Sequence, residues 1–426
     1  MTKWKETEIG KIPEDWEVKT FGDICLIRRG ASPRPIHNFI STSGIPWVKI
    51  ADATAQNSPY IEWTNEFIIE KGRDNTVSVK PGDLIVSNSA TPGIPKFMKI
   101  NAAIHDGWLL IEPSKKIDKW FLYYLFIFLR PRLVGMSSGT VFRNLKTDIV
   151  RNYKIAMPTL SEQRAIAEIL SSIDFKIELN NQMNATLEAM AQAIFKQWFI
   201  DFEFPDENGK PYKSSGGKMV DSELGKIPEG WLVKNIQDIL VFEKGTEPGS
   251  KYYLKENSNE SVRFIRVRDL DNTEHNRIFI PLSLAKGKFC YDKDVLLSLD
   301  ATIGRVQIGM KGTFSSGIRK VYSKDKMVPL KGYVYSLLKS EHVQSTMKIY
   351  SNGTTILHAG VSLDYINLAI PNINILKKFS EIANVLFDKI VANILEINNL
   401  ENIRDSMLPK LMSGQIRVPL EVIKNA

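Results

Sequence analysis

Two long stretches of the chain carry apolar residues in a seven-residue repeat. Between residues 161 and 199, a segment without Gly or Pro, apolar positions recur in alternating steps of four and three, and the pattern returns 213 residues later. Such a repeat is typical of coiled-coil helices and predicts two long helices that pair along one seam. The predicted seam positions are Ile166, Leu170, Ile173, Ile177, Asn180, Asn184, Leu187, Ala191, Ile194 and Trp198 in the first helix, and Phe379, Ala383, Leu386, Ile390, Asn393, Ile397, Leu400, Arg404, Met407 and Leu411 in the second.

Matched asparagines, Asn180 and Asn393, occur in both seams. A buried asparagine in a coiled coil costs stability but fixes the register of the pairing. Thr159 or Ser161 is expected to cap the start of the first helix. The polar segment 201–218, rich in Pro, Gly and Ser, is expected to be an exposed linker after that helix. The two helices are expected to run antiparallel.

Outside these helices the chain predicts mixed α/β structure. Short β-branched or apolar runs end at Gly, Pro, Asn or Asp, which is typical of strands. Two apolar segments, 119–129 and 332–340, are expected to form helices. The runs predicted as strands include 45–51, 83–88, 103–113, 264–267, 294–299 and 319–323.

The chain repeats itself once. Residues 6–30 align without gaps with residues 221–245, and 12 of the 25 positions are identical. Weaker matches follow in the same order, such as GDLIVSNSATPG (82–93) with KDVLLSLDATIG (293–304). The chain is therefore predicted to contain two copies of one unit of about 210 residues, a period far above that of solenoid repeats.

Together these patterns predict an α+β protein. Two similar mixed α/β domains are joined by two long helices that form an antiparallel coiled coil, and an internal pseudo-two-fold relates the halves. The expected boundaries are 1–158 for the first domain, 159–200 for the first long helix, 201–220 for the linker, 221–371 for the second domain, and 372–426 for the second long helix with a C-terminal tail.

The composition is that of a globular protein, because 43% of the residues are apolar and 24% are charged. The two cysteines, Cys25 and Cys290, are too distant in sequence for a CxxC motif and fit a reducing compartment. The N-terminus lacks the apolar segment of a secretory signal, and the longest apolar run, Trp120 to Leu129, has ten residues, too few to cross a bilayer. A cytoplasmic protein without membrane contact is expected.

The net charge of +8 is concentrated in two blocks. Residues 1–160 contain 22 basic and 16 acidic residues, a net +6, and residues 211–372 contain 23 and 17, again +6. Residues 161–210 between them contain 4 and 9, a net −5. Two basic blocks at matched positions indicate two surfaces for one polyanion. Surplus surface lysine that serves only solubility is the alternative at this point.

The sequence offers no complete catalytic signature. It has no GxxxxGK[ST] loop, no HExxH and no Asn/Asp-Pro-Pro-aromatic tetrapeptide of an amino-methyltransferase. Its one GxSxG match, GMSSG (135–139), follows a predicted helix rather than the strand that a nucleophile elbow requires. The five histidines show no ligand spacing, so a zinc site is not predicted. An acidic nuclease triad can be assembled from any chain of this size, so that alternative has no specific support.

Three features lie along the chain: the paired openings GKIPEDW and GKIPEGW, the helix SEQRAIAEILSSIDFKIELNNQ with its AIFKQWFIDF end, and the terminal IRDSMLPKLMSGQI. In this arrangement, essentially the whole chain resembles one family, the specificity (S) subunits of type I restriction-modification systems. The resemblance implies two target-recognition domains, each for one half of a bipartite double-stranded DNA sequence. It also implies two helical regions that space these domains and bind two methyltransferase (modification) subunits.

The same resemblance implies a subunit without catalysis of its own. S-adenosylmethionine, ATP and Mg²⁺ would belong to partner subunits, which methylate adenine and, with restriction (translocase/nuclease) subunits, cleave unmethylated DNA. The second helix has LPKLMSG where the first has FKQWFID, so the two helix ends need not bind partners equally. A coiled-coil, two-headed DNA-binding regulator or scaffold without methyltransferase partners is the alternative.

Basic and polar residues in and after the predicted strands are the candidates for DNA contact, because cations bind phosphates and Arg, Lys, Asn, Ser and Thr reach base edges. In the first domain these are Arg28, Arg29, Arg34, Lys49, Asn88, Ser89, Thr91, Lys96, Lys99, Arg143, Asn144 and Lys146. In the second domain they are Lys244, Arg266, Arg268, Thr302, Arg305, Arg319, Lys320, Thr354 and His358. Ser89-Ala90-Thr91 and Asp300-Ala301-Thr302 recur in both copies, which favours a framework or phosphate-positioning role for them.

Partner binding is predicted at the aromatic end of the first long helix, at Phe195, Trp198, Phe199 and Phe202. Phe199 and Phe202 lie off the predicted seam and would be exposed unless a partner covered them. Packing within their own domain is the alternative.

Overall fold

The structure is a computed structural model that describes residues 3–56, 58–136, 144–271, 277–325, 329–351 and 358–418. Its internal contacts divide the chain into two compact units. The first unit comprises Met1–Glu178 together with Asn399–Ala426, and the second comprises Leu179–Asn398. Arg143 and Thr354, two of the predicted DNA contacts, lie outside the described residues.

The first unit consists of short strands, a central apolar helix and part of a long helix. Its strands are β1 (Trp4–Thr7), β2 (Gly10–Pro13), β3 (Glu17–Thr20), β4 (Cys25–Arg29), β5 (Ile40–Ser41), β6 (Ile45–Val48), β7 (Tyr60–Ile61), β8 (Glu66–Ile68), β9 (Val77–Val79), β10 (Leu84–Ser87), β11 (Pro95–Met98), β12 (Ala102–Ile104), β13 (Trp108–Pro113) and β14 (Lys154–Met157). Its helices are α1 (Phe21–Ile24), α2 (Ile50–Ala55), α3 (Lys119–Gly135), α4 (Thr147–Arg151) and α5 (Leu160–Phe199), the last extending into the second unit.

Among the described residues, the second unit repeats most of these elements in the same order, with 12 strands against 14. Its strands are β15 (Met219–Ser222), β16 (Gly225–Pro228), β17 (Leu232–Asn235), β18 (Leu240–Lys244), β19 (Ser261–Ile265), β20 (Ile278–Pro281), β21 (Phe289–Cys290), β22 (Val295–Ser298), β23 (Val306–Gln307), β24 (Gly312–Phe314), β25 (Ile318–Ser323) and β26 (Asn367–Ile370). Its helices are α6 (Ile236–Ile239), α7 (Lys331–Lys339), α8 (Glu341–Ile349) and α9 (Ile373–Met412), the last extending into the first unit.

The two units share one sheet topology. One sheet has the order β4-β13-β10-β11-β7 in the first unit and β18-β25-β22-β23 in the second. The other has the order β5-β8-β6-β12-β9 in the first unit and β20-β19-β24-β21 in the second. Within this second sheet, β6·β12 and β19·β24 are parallel and the remaining pairs are antiparallel. The sequence repeat therefore extends to strand order, and the predicted α+β class with two similar domains is confirmed.

Three predicted elements differ from those observed. The run 45–51, predicted as one strand, is divided between β6 (Ile45–Val48) and α2 (Ile50–Ala55). The run 103–113, predicted as one strand, is two strands in different sheets, because Asp106-Gly107 forms a turn between β12 and β13. Asp-Gly is a strong turn signal and here prevails over the β propensity of its neighbours. The helix predicted at 332–340 ends at Lys339, because the backbone of Ser340 is extended (ψ 147°). A second helix, α8, begins at the next residue.

In the first unit the two long helices run antiparallel to each other. Arg404 Nη1 of α9 donates a hydrogen bond to Asp174 Oδ1 of α5 (2.8 Å). Beyond the end of α9, Arg417 Nε donates to Glu162 Oε1 (2.6 Å), near the start of α5. Arg417 also bonds Asp15 (2.7 and 3.0 Å), so the segment after α9 is tied to the N-terminal strands.

In the second unit the same two helices are also antiparallel. Asn180 Nδ2 donates to Glu396 Oε2 (2.9 Å), and Asn393 Nδ2 donates to Asn184 Oδ1 (2.8 Å). Asn180 and Asn393 are both buried, as their seam positions predict. A buried amide needs a polar partner directly opposite it on the other helix. These hydrogen bonds therefore fix the register of the two helices.

The far end of a long helix completes the core of each unit. Leu408, Leu411 and Met412 of α9 lie in the core of the first unit. Phe195 and Trp198 of α5 lie in the core of the second. Each unit therefore buries apolar side chains from both long helices.

Candidate nucleic-acid interface

Four chain segments of the first unit meet at the ends of its two sheets. The loop after β4 is bonded to the β12–β13 turn region, since Gly30 N donates to Trp108 O (2.9 Å) and Ala31 N to Ile104 O (3.2 Å). The loop after β10 joins the same turn through Asn88 N and Gly107 O (2.8 Å). Residues 144–145 complete the surface, because Leu145 N donates to Asn88 O (2.7 Å). We call these four segments the recognition loops.

Glycine at position 30 is required by the close approach of two recognition loops. A Cβ atom there would lie 2.1 Å from the His105 carbonyl oxygen. The matched Gly245 has the same constraint, because its Cβ would lie 2.2 Å from Phe314 O. Backbone atoms cannot yield as a flexible side chain can, so both loops depend on glycine at this point.

The loops after β10 and β22 have one conformation in both units. Ala90 (φ 57°) and Ala301 (φ 62°) are left-handed, which costs a residue with a Cβ about 1 kcal/mol. A serine side chain forms two hydrogen bonds with the backbone of each loop. Ser87 Oγ donates to Thr91 O (2.6 Å) and accepts from Ile94 N (2.9 Å). Ser298 Oγ donates to Thr302 O and accepts from Arg305 N (2.9 Å). This repetition supports the framework role predicted for these segments.

Asp106 is the centre of the polar contacts in the first unit. Its Oδ1 accepts from Ser32 Oγ (2.7 Å), and its Oδ2 lies 3.5 Å from Arg34 Nη2 and 3.8 Å from Arg29 Nη2. Its carbonyl accepts from Arg29 Nε (3.0 Å) and from Asn88 Nδ2 (3.3 Å). Burial opposes its ionisation, but the Ser32 hydrogen bond and the nearby charges prevail, so the pKa of the carboxyl lies below its usual range.

His105 supports this turn from beneath. Its Nδ1 accepts from Gly107 N (2.8 Å), and its ring lies 6.0 Å from that of Trp47. Burial lowers the pKa of the imidazole despite the neighbouring Asp106. A neutral ring that accepts at Nδ1 carries its proton on Nε2.

The matched loops of the second unit carry different polar side chains. Ser316 Oγ donates to Glu247 Oε2 (2.9 Å), and His358 Nδ1 lies 2.7 Å from Asp300 Oδ1. Arg319 Nη1 donates to Ser316 O (2.5 Å), and burial lowers the pKa of this guanidinium. His358 and Arg268 are largely exposed.

Several predicted residues of the first unit lie on the recognition loops or, in the case of Arg29, at the strand end that leads into one of them. They are Arg29, Arg34, Asn88, Ser89, Thr91 and Asn144. Lys146 is exposed and immediately precedes α4. Asn88 is buried and holds the turn at Asp106 rather than facing solvent.

Other predicted residues of the first unit form internal ion pairs. Arg28 points to the opposite face of β4 from Arg29 and pairs with Glu112 (2.8 Å). Lys49 pairs with Glu66, and Lys99 pairs with Glu62 (2.5 Å) while lying over the Tyr60 ring. Sequence position alone does not distinguish a paired cation from a free one.

Lys96 was predicted to contact DNA, and its position contradicts this. Only 6% of the residue is exposed, and its Nζ donates to the carbonyls of Gln56 and Ser58 (2.5 Å each). Burial lowers the pKa of the amine to about 8. Lys96 fastens the chain between α2 and β7 to β11.

In the second unit the predicted basic residues divide in the same way. Lys244, Arg268, Thr302 and His358 are exposed. Arg266 bonds Asp269 through two nitrogens (2.8 and 2.9 Å) with little exposure, and Lys320 is held by Glu243 (3.0 Å) and Phe289 O (2.8 Å), so both stabilise the domain. Arg305 pairs with Asp271 (2.5 Å).

The aromatic end of α5 is largely buried within its own unit, whereas Phe199 was expected to be exposed unless a partner covered it. Phe195, Phe199 and Phe202 also line a groove at this end of the helix. Phe195, Trp198 and Phe199 surround Phe379 of α9, at ring distances from 4.8 to 6.0 Å. Phe202 is half-buried, with its ring 5.4 Å from Trp231. The segment predicted as an exposed linker shares this packing, since Phe204 is buried against Trp231 and Tyr212.

His105, Asp106, Ser32 and Glu247 were absent from the predicted DNA contacts. The Asp106-Gly107 dipeptide is a turn signal that would have placed His105 and Asp106 in a loop. The pairing of Ser32 with Asp106, and of Glu247 with Ser316, depends on segments distant in sequence and has no local signal.

Across the described ranges, no His, Cys, Asp and Glu side chains gather in a group of three or more suited to a metal ion. Over the same ranges, no helix has both the length and the apolar character needed to cross a membrane.

Comparisons with known proteins agree on one family. Residues 13–189 and 228–402 match the model of the type I restriction modification DNA specificity domain. The chain is 31% identical over 432 residues to the type I restriction enzyme MjaIX specificity subunit of Methanocaldococcus jannaschii (98% of this chain, 97% of that one), and 24% identical over 470 residues to the HindI specificity subunit of Haemophilus influenzae (94% and 100%). The crystal structure of a type I restriction-modification S subunit from M. genitalium shares the fold, with a TM-score of 0.54 and 15% identity over 96% of this chain and 98% of that one.

Proposed function

The chain belongs to the specificity subunits of type I restriction-modification systems, and we propose that each of its two units recognises one half of a bipartite double-stranded DNA sequence. One observation carries this proposal: the recognition loops of the first unit and the matched loops of the second have the same backbone hydrogen bonds but different side chains. In the second unit Gly245 N donates to Ile318 O (3.3 Å), Thr246 N to Phe314 O (2.9 Å), Leu299 N to Gly317 O (3.0 Å) and Ala359 N to Leu299 O (2.8 Å). A common framework presents each surface to the same kind of ligand, while Arg29, Arg34 and Asp106 in one unit and Glu247, Arg319 and His358 in the other select different bases.

In this proposal the chain supplies recognition and no catalysis. Two methyltransferase subunits bind it and use S-adenosylmethionine to methylate adenine in each half-site. Restriction subunits, where they join the complex, use ATP and Mg²⁺ for translocation and cleavage. Exposed cations such as Lys146 and Arg268 supply phosphate attraction that falls with rising salt.

Methylation mapping tests this function. The chain is expressed with its neighbouring methyltransferase subunit in a methylation-free host, and modified bases are mapped by single-molecule sequencing. The expected result is a gapped, two-part motif with adenine methylated in both halves, lost when either chain is omitted. An assembled complex that methylates nothing would favour a DNA-binding regulator or scaffold.

We place the methyltransferase contacts at matched grooves, one in each unit. The groove of the second unit has a volume of about 260 Å³ and is lined by Ile200 and Leu224, both nearly half exposed. That of the first unit has a volume of about 480 Å³ and is lined by Ile9 and Met412. In each, the end of a long helix meets a β-hairpin, and two similar sites suit two copies of one partner.

Aspartate at these grooves is expected to reduce the number of bound partners stepwise. Ile200→Asp or Ile9→Asp should leave one methyltransferase subunit per chain, and the double variant none, because a charge in an apolar contact remains desolvated and unpaired. Native mass spectrometry of the purified complex measures the stoichiometry. Leu282→Asp, an equally exposed site elsewhere in the second unit, is the control and should retain two partners. Two partners on the double variant would refute the location.

We also propose that the length of the long helices sets the unrecognised gap. One heptad inserted after Glu178 and another after Asn398 leaves the helix pairing inside each unit intact. Each insertion lengthens its helix by about 10 Å, the span of about three base pairs. Methylation mapping should then show a longer gap between two unchanged half-sites. An insertion in one helix alone serves as the control and should abolish methylation, and an unchanged gap in the doubly extended protein would exclude this role.

A further inference from the structure

The proposed DNA surface contains one arginine without a counterpart in the repeat. Residues 30–34 of the first unit align with residues 245–249 of the second, so Arg34 corresponds to Gly249 and Ser32 to Glu247. In the β12–β13 turn, Asp106 corresponds in the same way to Ser316 of the β24–β25 turn.

Both units join these two loops by a hydrogen bond from a serine to a carboxylate, but the loop that carries the serine in one unit carries the carboxylate in the other. Ser32 Oγ donates to Asp106 Oδ1 (2.7 Å) in the first unit, and Ser316 Oγ donates to Glu247 Oε2 (2.9 Å) in the second. A serine–carboxylate hydrogen bond is therefore part of the shared framework. The framework does not need an arginine at position 34, because the second unit forms the same bridge with glycine there.

We propose that Asp106 is a positioning residue that directs Arg34 at a guanine, so that the half-site recognised by the first unit contains a G·C pair at a position that Arg34 specifies. This inference rests on the proposed function. It assigns one recognised base pair to one side chain.

The backbone beneath Arg34 is already fixed. Pro33 and Pro35 on either side of it restrict its loop, and Pro33 is buried. Gly30 and Ala31 are bonded to the neighbouring strands, and Ser32 is bonded to Asp106. The side chain itself is 72% exposed. Because the loop is fixed and a carboxylate lies 3.5 Å from the exposed guanidinium, Arg34 needs little further ordering to bind a base edge.

The chemistry of the group favours a base over a phosphate. Arginine presents a planar fork of donors that matches guanine O6 and N7, the commonest specific contact in the major groove. The Asp106 carboxylate repels phosphates but can accept a hydrogen bond from the cytosine N4 amino group of the same kind of pair. Both side chains therefore favour a G·C pair.

The test uses the methyltransferase complex and duplexes that carry each base in turn at every position of the mapped first half-site. Arg34→Ala and Arg34→Lys should reduce discrimination at one G·C position by about 5- to 150-fold and leave the second half-site unchanged. Asp106→Asn should lose part of the same discrimination at the same position. Arg28→Ala, on the opposite face of the adjoining strand, is the matched control and should change nothing.

A duplex with 7-deazaguanine separates base contact from phosphate contact. Loss of the N7 acceptor should weaken the unmodified complex at that position and have no further effect on Arg34→Ala. A first half-site without a G·C pair, or a uniform loss of affinity for all sequences in Arg34→Ala, would overturn the inference while bipartite methylation still supported the proposed function. Unaltered discrimination in Asp106→Asn would overturn the positioning role. Absence of methylation by the unmodified complex would instead count against the proposed function.

Discussion

Replacing Arg404 by alanine is expected to destabilise the first unit by about 3 kcal/mol. Asp174 is buried, and its carboxylate accepts from Arg404 Nη1 (2.8 Å) and from Tyr124 Oη (2.6 Å). Although burial alone would lower it, the pKa of Arg404 is raised by the neighbouring Asp174. Without Arg404 the carboxylate remains buried without a counter-charge. The cost lies at the low end of the usual range because Arg404 is one quarter exposed.

Hydrogen exchange read by mass spectrometry measures this loss, because peptides from the first unit report its opening free energy separately from that of the second. Arg164→Ala, an exposed arginine on α5, is the matched control and should change stability by less than about 0.5 kcal/mol. The double variant Asp174→Asn/Arg404→Met should recover most of the loss, since it removes both charges and keeps an acceptor for Tyr124. Equal protection in Arg404→Ala and the unmodified chain would contradict the prediction.

Replacing Phe379 by alanine is expected to destabilise the second unit by about 4 kcal/mol. The ring is 1% exposed and lies among Phe195, Trp198, Phe199 and Tyr333, at centroid distances of 4.8 to 6.1 Å. Four aromatic rings cannot collapse into the space of a fifth without leaving their own contacts, so a cavity remains.

Urea denaturation followed by tryptophan fluorescence, together with hydrogen exchange in peptides from 179–398, measures this effect. Val385→Ala removes an exposed side chain from the same helix and should cost less than about 0.5 kcal/mol. Phe379→Leu should lose less than Phe379→Ala, because it fills part of the cavity. A loss below about 1 kcal/mol for Phe379→Ala would mean that this aromatic cluster is not central to the unit.

The features predicted correctly from the sequence are those with a period or a repeat. The heptad pattern requires no knowledge of distant residues, and it indicated the long helices and the buried positions of Asn180 and Asn393. The gapless match of 6–30 with 221–245 predicted two similar domains, and the strand orders agree.

The predictions that failed are those that depend on contacts between side chains distant in sequence. Lys96 and Arg34 are both basic residues of loops or strand ends in the sequence, yet one is enclosed by carbonyls and the other is exposed. Phe199 lies off the seam of α5 but is covered by its own unit, because Trp231 and Tyr333 approach it from distant segments. Such contacts depend on tertiary packing, which a single sequence does not encode locally.

The division of the long helices between the units has a consequence for synthesis on the ribosome. The second unit is one continuous segment, Leu179–Asn398, whereas the core of the first includes Leu408, Leu411 and Met412. At ordinary elongation rates these last residues emerge about 10–50 s after residue 178. During that interval the apolar surface of the first unit that α9 will cover stays exposed. The second unit, although translated later, is the first whose core can be completed. Chaperone demand should therefore fall on the beginning of the chain while its second half is being made.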